Sequence, residues 1–92
     1  MAIVKLKHKG LSEIFDTGRS AKIGSQYHEK VLMILDFLNA IGNITDCQGQ
    51  FEFHSLKGKR KKEYAMSVSG NYRITFEWQD GNVHNVNYED YH

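Results

Sequence analysis

Apolar and polar positions follow two different periods along this chain, and the change between them divides it into halves. Residues 3–7 alternate apolar with basic side chains, which predicts a short strand. Leu11, Ile14 and Phe15 then recur at helical spacing, with Gly18 as a stop. A longer stripe of Val31, Leu32, Leu35 and Leu38, with Tyr27 at its start, predicts a second helix. Ser25 is its expected N-cap, and Gly42, able to turn left-handed, its expected closure after Ile41. Residues 43–58 show no clean period, although Phe51 and Phe53 alternate as a short extended piece would.

From Tyr64 onward the period is two. Tyr64, Met66 and Val68 face one way and Ala65, Ser67 and Ser69 the other. Gly70-Asn71 reads as a two-residue turn. Tyr72, Ile74, Phe76 and Trp78 then alternate with Arg73, Thr75 and Glu77. Asp80-Gly81 is a second hairpin signal, leading to a last strand through Val83, Val86 and Tyr88. Helices first and hairpins afterward predict an α+β domain spanning residues 1–92, with two N-terminal helices packed on one face of a small antiparallel sheet. If they cover the Ile74/Phe76/Trp78 face, Arg73 points to the other, solvent-facing side. There it could grip a phosphate bidentately, or form a cross-strand ion pair with Glu77 or Glu89.

Composition narrows the class. Ninety-two residues with 40% hydrophobic and 12% aromatic side chains suit one folded domain and argue against disorder. A single cysteine, Cys47, cannot form an intrachain disulfide, so a reducing cytoplasm is expected. No apolar run approaches the ~20 residues that span a bilayer, and no export signal is evident. The net charge of +1 hides an uneven distribution. Lys57, Lys59, Arg60, Lys61 and Lys62 place five cations within six residues. Such a run is either a solvated loop or a phosphate-binding patch, and with the acids scattered along the chain nothing nearby is expected to cancel it.

Five histidines could transfer protons near neutrality. His8, His28 and His84 lie in polar or helical surroundings and read as surface residues. His54 lies three residues before Lys57, and His92 follows Asp90 and Tyr91 at the end of the last strand. No close ligand pair supports a metal site, and no glycine motif cradles a phosphate. Cys47 sits beside Asp46, which raises a thiol pKa and makes a poor nucleophile. The constellation left is metal-free: His54, Lys57, Arg73, Asp90, Tyr91 and His92, beside the basic loop. Its natural chemistry is RNA cleavage by the substrate's own 2′-OH, which needs a base, an acid and cations on the phosphoryl oxygens.

The segments His54-Ser55-Leu56-Lys57-Gly58, Asn71-Tyr72-Arg73-Ile74-Thr75-Phe76 and Asn87-Tyr88-Glu89-Asp90-Tyr91-His92, in that order, resemble the HigB toxins of the RelE/ParE superfamily. Lys7-His8-Lys9-Gly10-Leu11 and Phe15 extend the likeness over nearly the whole chain. The resemblance implies a RelE-like fold and a cofactor-free, ribosome-dependent mRNA endonuclease. It also implies partners: a HigA-type helix-turn-helix antitoxin, the 70S ribosome and mRNA, with no membrane involved. Carried over by position, His92 becomes the leading general acid or base and His54 its partner. Arg73 and Lys57 stabilise phosphate, Asp90 tunes the histidine, and Tyr91 stacks on a base or bonds the phosphate. Lys59, Arg60, Lys61 and Lys62 would bind RNA. Two alternatives stand beside this reading: a ParE-like gyrase poison, and a non-catalytic RNA- or ribosome-binding domain. Strand parity adds a condition, because Asp90 and His92 should share the face of Val86 and Tyr88, so the tail must bend for His92 to reach Arg73's side.

Overall fold

The computed structural model describes residues 2–90. Helix α1 (Lys9–Thr17) starts at His8, whose Nδ1 accepts a hydrogen bond from the Gly10 N–H at 3.0 Å. It stops at Gly18, where φ is 89° and the N–H donates to the Ile14 carbonyl. Helix α2 (His28–Ala40) follows a 3-10 turn, Ser25–Tyr27, so Ser25 opens that turn rather than capping the helix. Nor does Gly42 close it: Ile41 is already extended, and the Asp46 carboxylate takes up the Gly42 and Asn43 N–H groups. That capping acid, three residues beyond Asn43, makes glycine's conformational freedom unnecessary here.

Four strands follow among the described residues: β1 (His54–Ser55), β2 (Glu63–Ser67), β3 (Tyr72–Gln79) and β4 (Asn82–Asp90), paired antiparallel in chain order. The start of the chain runs parallel to β4, touching it through bridges at Ile3↔Val83 and Leu6↔Val86. Phe51 and Phe53 precede β1 rather than forming it. Phe51 and Glu52 are both left-handed, with φ of 50° and 55°, and the extended pair comes immediately after. Ser67 connects to Tyr72 through a wider loop than a two-residue turn. The Val68 and Ser69 N–H groups both donate to the Tyr72 carbonyl, and the Ser69 hydroxyl accepts from Asn71 and Tyr72.

The β3–β4 turn is tight: Asp80 and Gly81 have φ of 54° and 79°, as a hairpin matching the sheet's twist requires. A bulge then interrupts the ladder between Thr75↔Asn87 and Glu77↔His84, with Asn85 left-handed at φ 52°. It explains an oddity of the sequence, since Val83 and Val86 are three residues apart yet both fully buried. Without the extra residue, one of them would face away from the core.

The two helices pack on the face carrying Met66, Ile74, Phe76, Val83 and Val86. Leu11, Ile14, Val31, Ile34, Leu35 and Leu38 fill the space between, all without solvent exposure. The expected α+β architecture is therefore present. Its helix-free face carries Ala65, Ser67, Arg73, Thr75, Glu77, Asn87 and Glu89, as the cross-strand pairs dictate.

Candidate active site on the helix-free sheet face

Arg73 and Glu89 are direct cross-strand partners, so their side chains leave the sheet together. The Arg73 Nη2 donates to Glu89 at 3.3 Å, and the Thr75 hydroxyl donates to the other carboxylate oxygen at 2.9 Å. Arg60 reaches over from the basic loop and bonds Glu89 through both terminal nitrogens, Nη1 at 2.9 Å. Its Nε and Nη2 also hold Glu63, at 2.9 and 2.8 Å. Glu63 stands directly opposite Glu77, a like-charge pair. Arg60 compensates the first carboxylate and the Asn85 amide, 3.0 Å away, the second.

These contacts decide the local charge states. The Arg60 guanidinium, then the Thr75 hydroxyl and Arg73, hold Glu89 at a pKa of about 2 against the opposing effect of burial. Arg60 likewise lowers Glu63, and the two carboxylates raise Arg60.

Two expectations change in consequence. Arg73 lies on the expected face, but that face is not open: its side chain is 17% exposed and Thr75 is fully buried beneath the carboxylate. Of the two roles open to Arg73, the ion pair with Glu89 is formed. The basic loop is not uncancelled either. Glu63 follows it directly and Glu89 comes from the far end of the sheet, and Arg60 is bound to both.

The other loop cations, Lys57, Lys59, Lys61 and Lys62, are exposed. Lys57 precedes a 3-10 turn, Gly58–Arg60, entered through a left-handed Gly58 at φ 69°, where a side chain would strain the backbone. Its carbonyl accepts from the Arg60 N–H, so the clamped arginine and Lys57 belong to one turn.

His54 sits on β1 opposite Ala65, which in turn faces Thr75 across β2. His54 and Arg73 therefore share a face, roughly 10–12 Å apart between Cα atoms by strand and residue spacings. The His54 Nδ1 lies 2.9 Å from the Glu52 carbonyl oxygen. A carbonyl only accepts, so Nδ1 carries a proton as donor, which leaves Nε2 as the ring nitrogen for proton exchange with a ligand. The left-handed Phe51-Glu52 pair aims that carbonyl.

Asp90 ends β4 opposite Tyr72, on the helix-covered side, as parity requires. Tyr91 and His92 lie outside the described residues. Around the strand end, Tyr88 stacks on Tyr72 with centroids 5.1 Å apart, Tyr27 tilts against Tyr72, and His8 meets Tyr88 edge-on. The Tyr88 hydroxyl is buried with no hydrogen-bond partner among the described residues, and burial pushes its pKa up to about 12.

Two histidines expected at the surface are partly buried and structural. His8 caps α1. The His28 Nε2 lies 2.9 and 2.8 Å from the Ser20 and Ile23 carbonyls, fixing the connection between the helices. Cys47 is fully buried, and burial more than Asp46 raises its thiol to about 11. Sequence reasoning offers Glu89 only as a competitor for Arg73 and does not single out Glu63. The signal for Glu89 is the ladder register, which places 89 opposite 73 once the bulge is known.

No helix among the described residues is long and apolar enough to cross a membrane. Residues 4–92 match the family model described as the RelE-like toxin of type II toxin–antitoxin system HigB. The chain is 33% identical to endoribonuclease HigB of Proteus vulgaris over 93 residues, covering 98% of this chain and 99% of that protein. In fold it is similar to the solution structure of a conserved hypothetical protein from Helicobacter pylori. The TM-score is 0.52 at 18% identity, over 97% and 96% of the two chains. With the ordered segments of the sequence, the α+β fold and a match of this extent in agreement, the chain belongs to the HigB family of RelE-like toxins from type II toxin–antitoxin systems.

Proposed function

We propose that the chain is a ribosome-dependent endoribonuclease that cleaves mRNA by attack of the 2′-OH on the adjacent phosphate, and so halts translation in the cytoplasm. The observation that carries this reading is the placement of His54 and Arg73 on one sheet face, with the His54 Nδ1 engaged by the Glu52 carbonyl and Nε2 left for the substrate. A base at Nε2 and a guanidinium on the same face supply two of the three elements the reaction needs. Lys57, exposed on the intervening loop, adds charge for the phosphorane. The third element, a proton for the departing 5′-oxygen, is assigned to His92, with Asp90 and Tyr91 beside it. The Proteus vulgaris relative, named an endoribonuclease, supports the nuclease reading.

As the toxin of such a module, the chain has an antitoxin as its partner. We infer a HigA-type helix-turn-helix protein, with the 70S ribosome and mRNA as the target. Lys59, Lys61 and Lys62 add a salt-dependent contact to RNA, and Arg60 contributes through the loop's shape.

His92→Gln is the test. Induced in cells, it abolishes growth arrest and the new mRNA 5′ ends that the unaltered protein generates, while the melting temperature stays unchanged. Full toxicity in H92Q rejects the role of His92. Trapped gyrase in a supercoiling assay, with mRNA intact, replaces the nuclease reading by the topoisomerase one.

A further inference from the structure

Among the described residues, Glu89 touches two separate parts of the proposed site and adjoins a third. Its carboxylate accepts from Arg60 of the basic loop, from Arg73 on β3 and from Thr75 beneath, and its backbone leads directly into Asp90 and the tail. We propose that Glu89 is a positioning residue for RNA cleavage, fixing the Lys57 turn and the Arg73 guanidinium relative to one another. The proposal rests on the nuclease reading above and adds to it a residue that never touches RNA.

Arginine and lysine side chains lose more rotamer freedom on ordering than most, so an unheld guanidinium meets a phosphate at an entropic cost. Glu89 removes that freedom in advance by taking an N–H of Arg73, and it is itself fixed by the Thr75 hydroxyl, which has no solvent exposure. Through the Arg60 fork the same carboxylate anchors the Gly58–Arg60 turn, and the Arg60 N–H bonds the Lys57 carbonyl, which brings Lys57 into the same frame. Lys59, Lys61 and Lys62 stand outside this clamp and supply affinity, whereas Arg60 supplies geometry.

A carboxylate on this face also repels a phosphate, so its net effect on RNA affinity is unfavourable. That gives the proposal a signature a folding defect cannot imitate. In E89Q Arg73 loses its ion pair with Glu89 and Arg60 keeps only Glu63, so both guanidiniums lose part of what fixes their orientation. RNA affinity holds or rises while turnover falls, by roughly 10–100-fold, the scale of a misplacement near 1 Å.

The experiment compares unaltered protein, E89Q, E89D and T75V for cleavage of mRNA on programmed 70S ribosomes. A short RNA with a 2′-deoxy substitution at the cut site measures affinity, and thermal melting monitors folding. Expected are a lower kcat with an unchanged or smaller Kd for E89Q, and recovery to within about fivefold of normal turnover in E89D, which keeps the charge. Normal turnover in E89Q, or parallel loss of turnover and affinity in a folded E89Q, overturns the proposal. Should E89Q fail to fold, T75V decides. It removes only the hydroxyl steadying Glu89, so lower kcat at constant Kd sustains the proposal and normal kcat rejects it. If the unaltered protein makes no cuts, the nuclease reading itself fails; if it cuts and E89Q cuts equally well, only the role of Glu89 does.

Discussion

The sheet buries residues on both of its faces, and it does so by different means. Under the helices, Phe76, Ile74, Met66, Val83 and Val86 meet α1 and α2 through apolar contact, which depends on volume and patterning. On the opposite face, Thr75 and Arg73 are covered by charged groups: Glu89, shared by two arginines and a hydroxyl, and Arg60, shared by two carboxylates. The first kind of burial is non-directional and tolerates exchange of similar side chains. The second depends on the angle of each donor, and removing one partner leaves another charge uncompensated. The proposed roles of His54 and Arg73 belong to the directional face, where Arg73 is held in place without being packed in.

Adjacent residues of β3 separate the two most sharply, because Thr75 and Phe76 are both fully buried and point opposite ways. Phe76→Ala opens a cavity in the apolar layer and costs about 3–5 kcal/mol of stability. Thr75→Val keeps the volume but removes a donor to a carboxylate, a loss of about 1–3 kcal/mol. Urea denaturation ranks the pair in that order, while ribosome-coupled turnover of the folded fraction ranks them in reverse. Equal effects on turnover per folded molecule would erase the functional distinction between the faces.

This difference also explains what the sequence made legible. Helix α1, the β3 alternation and the Asp80-Gly81 hairpin are readable because a period or a turn residue states them locally. The helix-covered face follows from Ile74, Phe76 and Trp78 alone. His54 and Arg73 are identifiable as residue types, but their shared face depends on β1, a two-residue strand that follows a left-handed pair no period announces. The Arg60–Glu89 contact spans 29 residues and depends on a bulge at Asn85. Nothing in residues 57–62 distinguishes Arg60 from its four lysine neighbours. Only its planar fork, matched to two carboxylates in space, does so.

Acid tests the charged face directly. Glu89 carries a pKa of about 2 in the fold against 4.5 ordinarily, so the folded state favours its ionised form. Its contribution is complete above pH 4.5 and disappears as pH falls from there toward 2. Urea midpoints should drop through that interval in the unaltered protein and more shallowly in E89Q. Identical slopes would mean that the Arg60 and Arg73 bonds to Glu89 add nothing to stability.

The basic loop offers a smaller contrast on the same face. Replacing Lys59, Lys61 and Lys62 together by alanine removes exposed cations only, so RNA binding should weaken and its salt dependence flatten. The slope of log K against log salt falls by roughly 0.7 for each single-strand phosphate that is no longer neutralised. Arg60→Gln removes one charge of the same sign but a different kind of interaction. Its salt slope should change little while turnover falls, because the turn carrying Lys57 loses its anchor. A salt slope for R60Q reduced as much per charge as in the lysine variant would make Arg60 an ordinary RNA-binding cation.

The smallest effect belongs to the helix-covered side, where His8 titrates. Burial, then Lys22, lowers its pKa below 6.5, and the cap requires the neutral ring because Nδ1 accepts the Gly10 N–H. Below 6.5 the unfolded chain binds the proton more readily than the fold, so stability is complete above that pH and declines as pH falls through it. His8→Asn supplies a strong N-cap with no titration, within about 1 kcal/mol of the original cap. Thermal melts of H8N should therefore be flat from neutrality to mild acid where the unaltered protein slopes downward, and both should fall together once the Glu89 interval is reached. The two faces are then separable by pH alone: one loses a neutral acceptor just below neutrality, the other an ionised acceptor in strong acid. A slope that persists in H8N would place the near-neutral titration elsewhere and remove that separation.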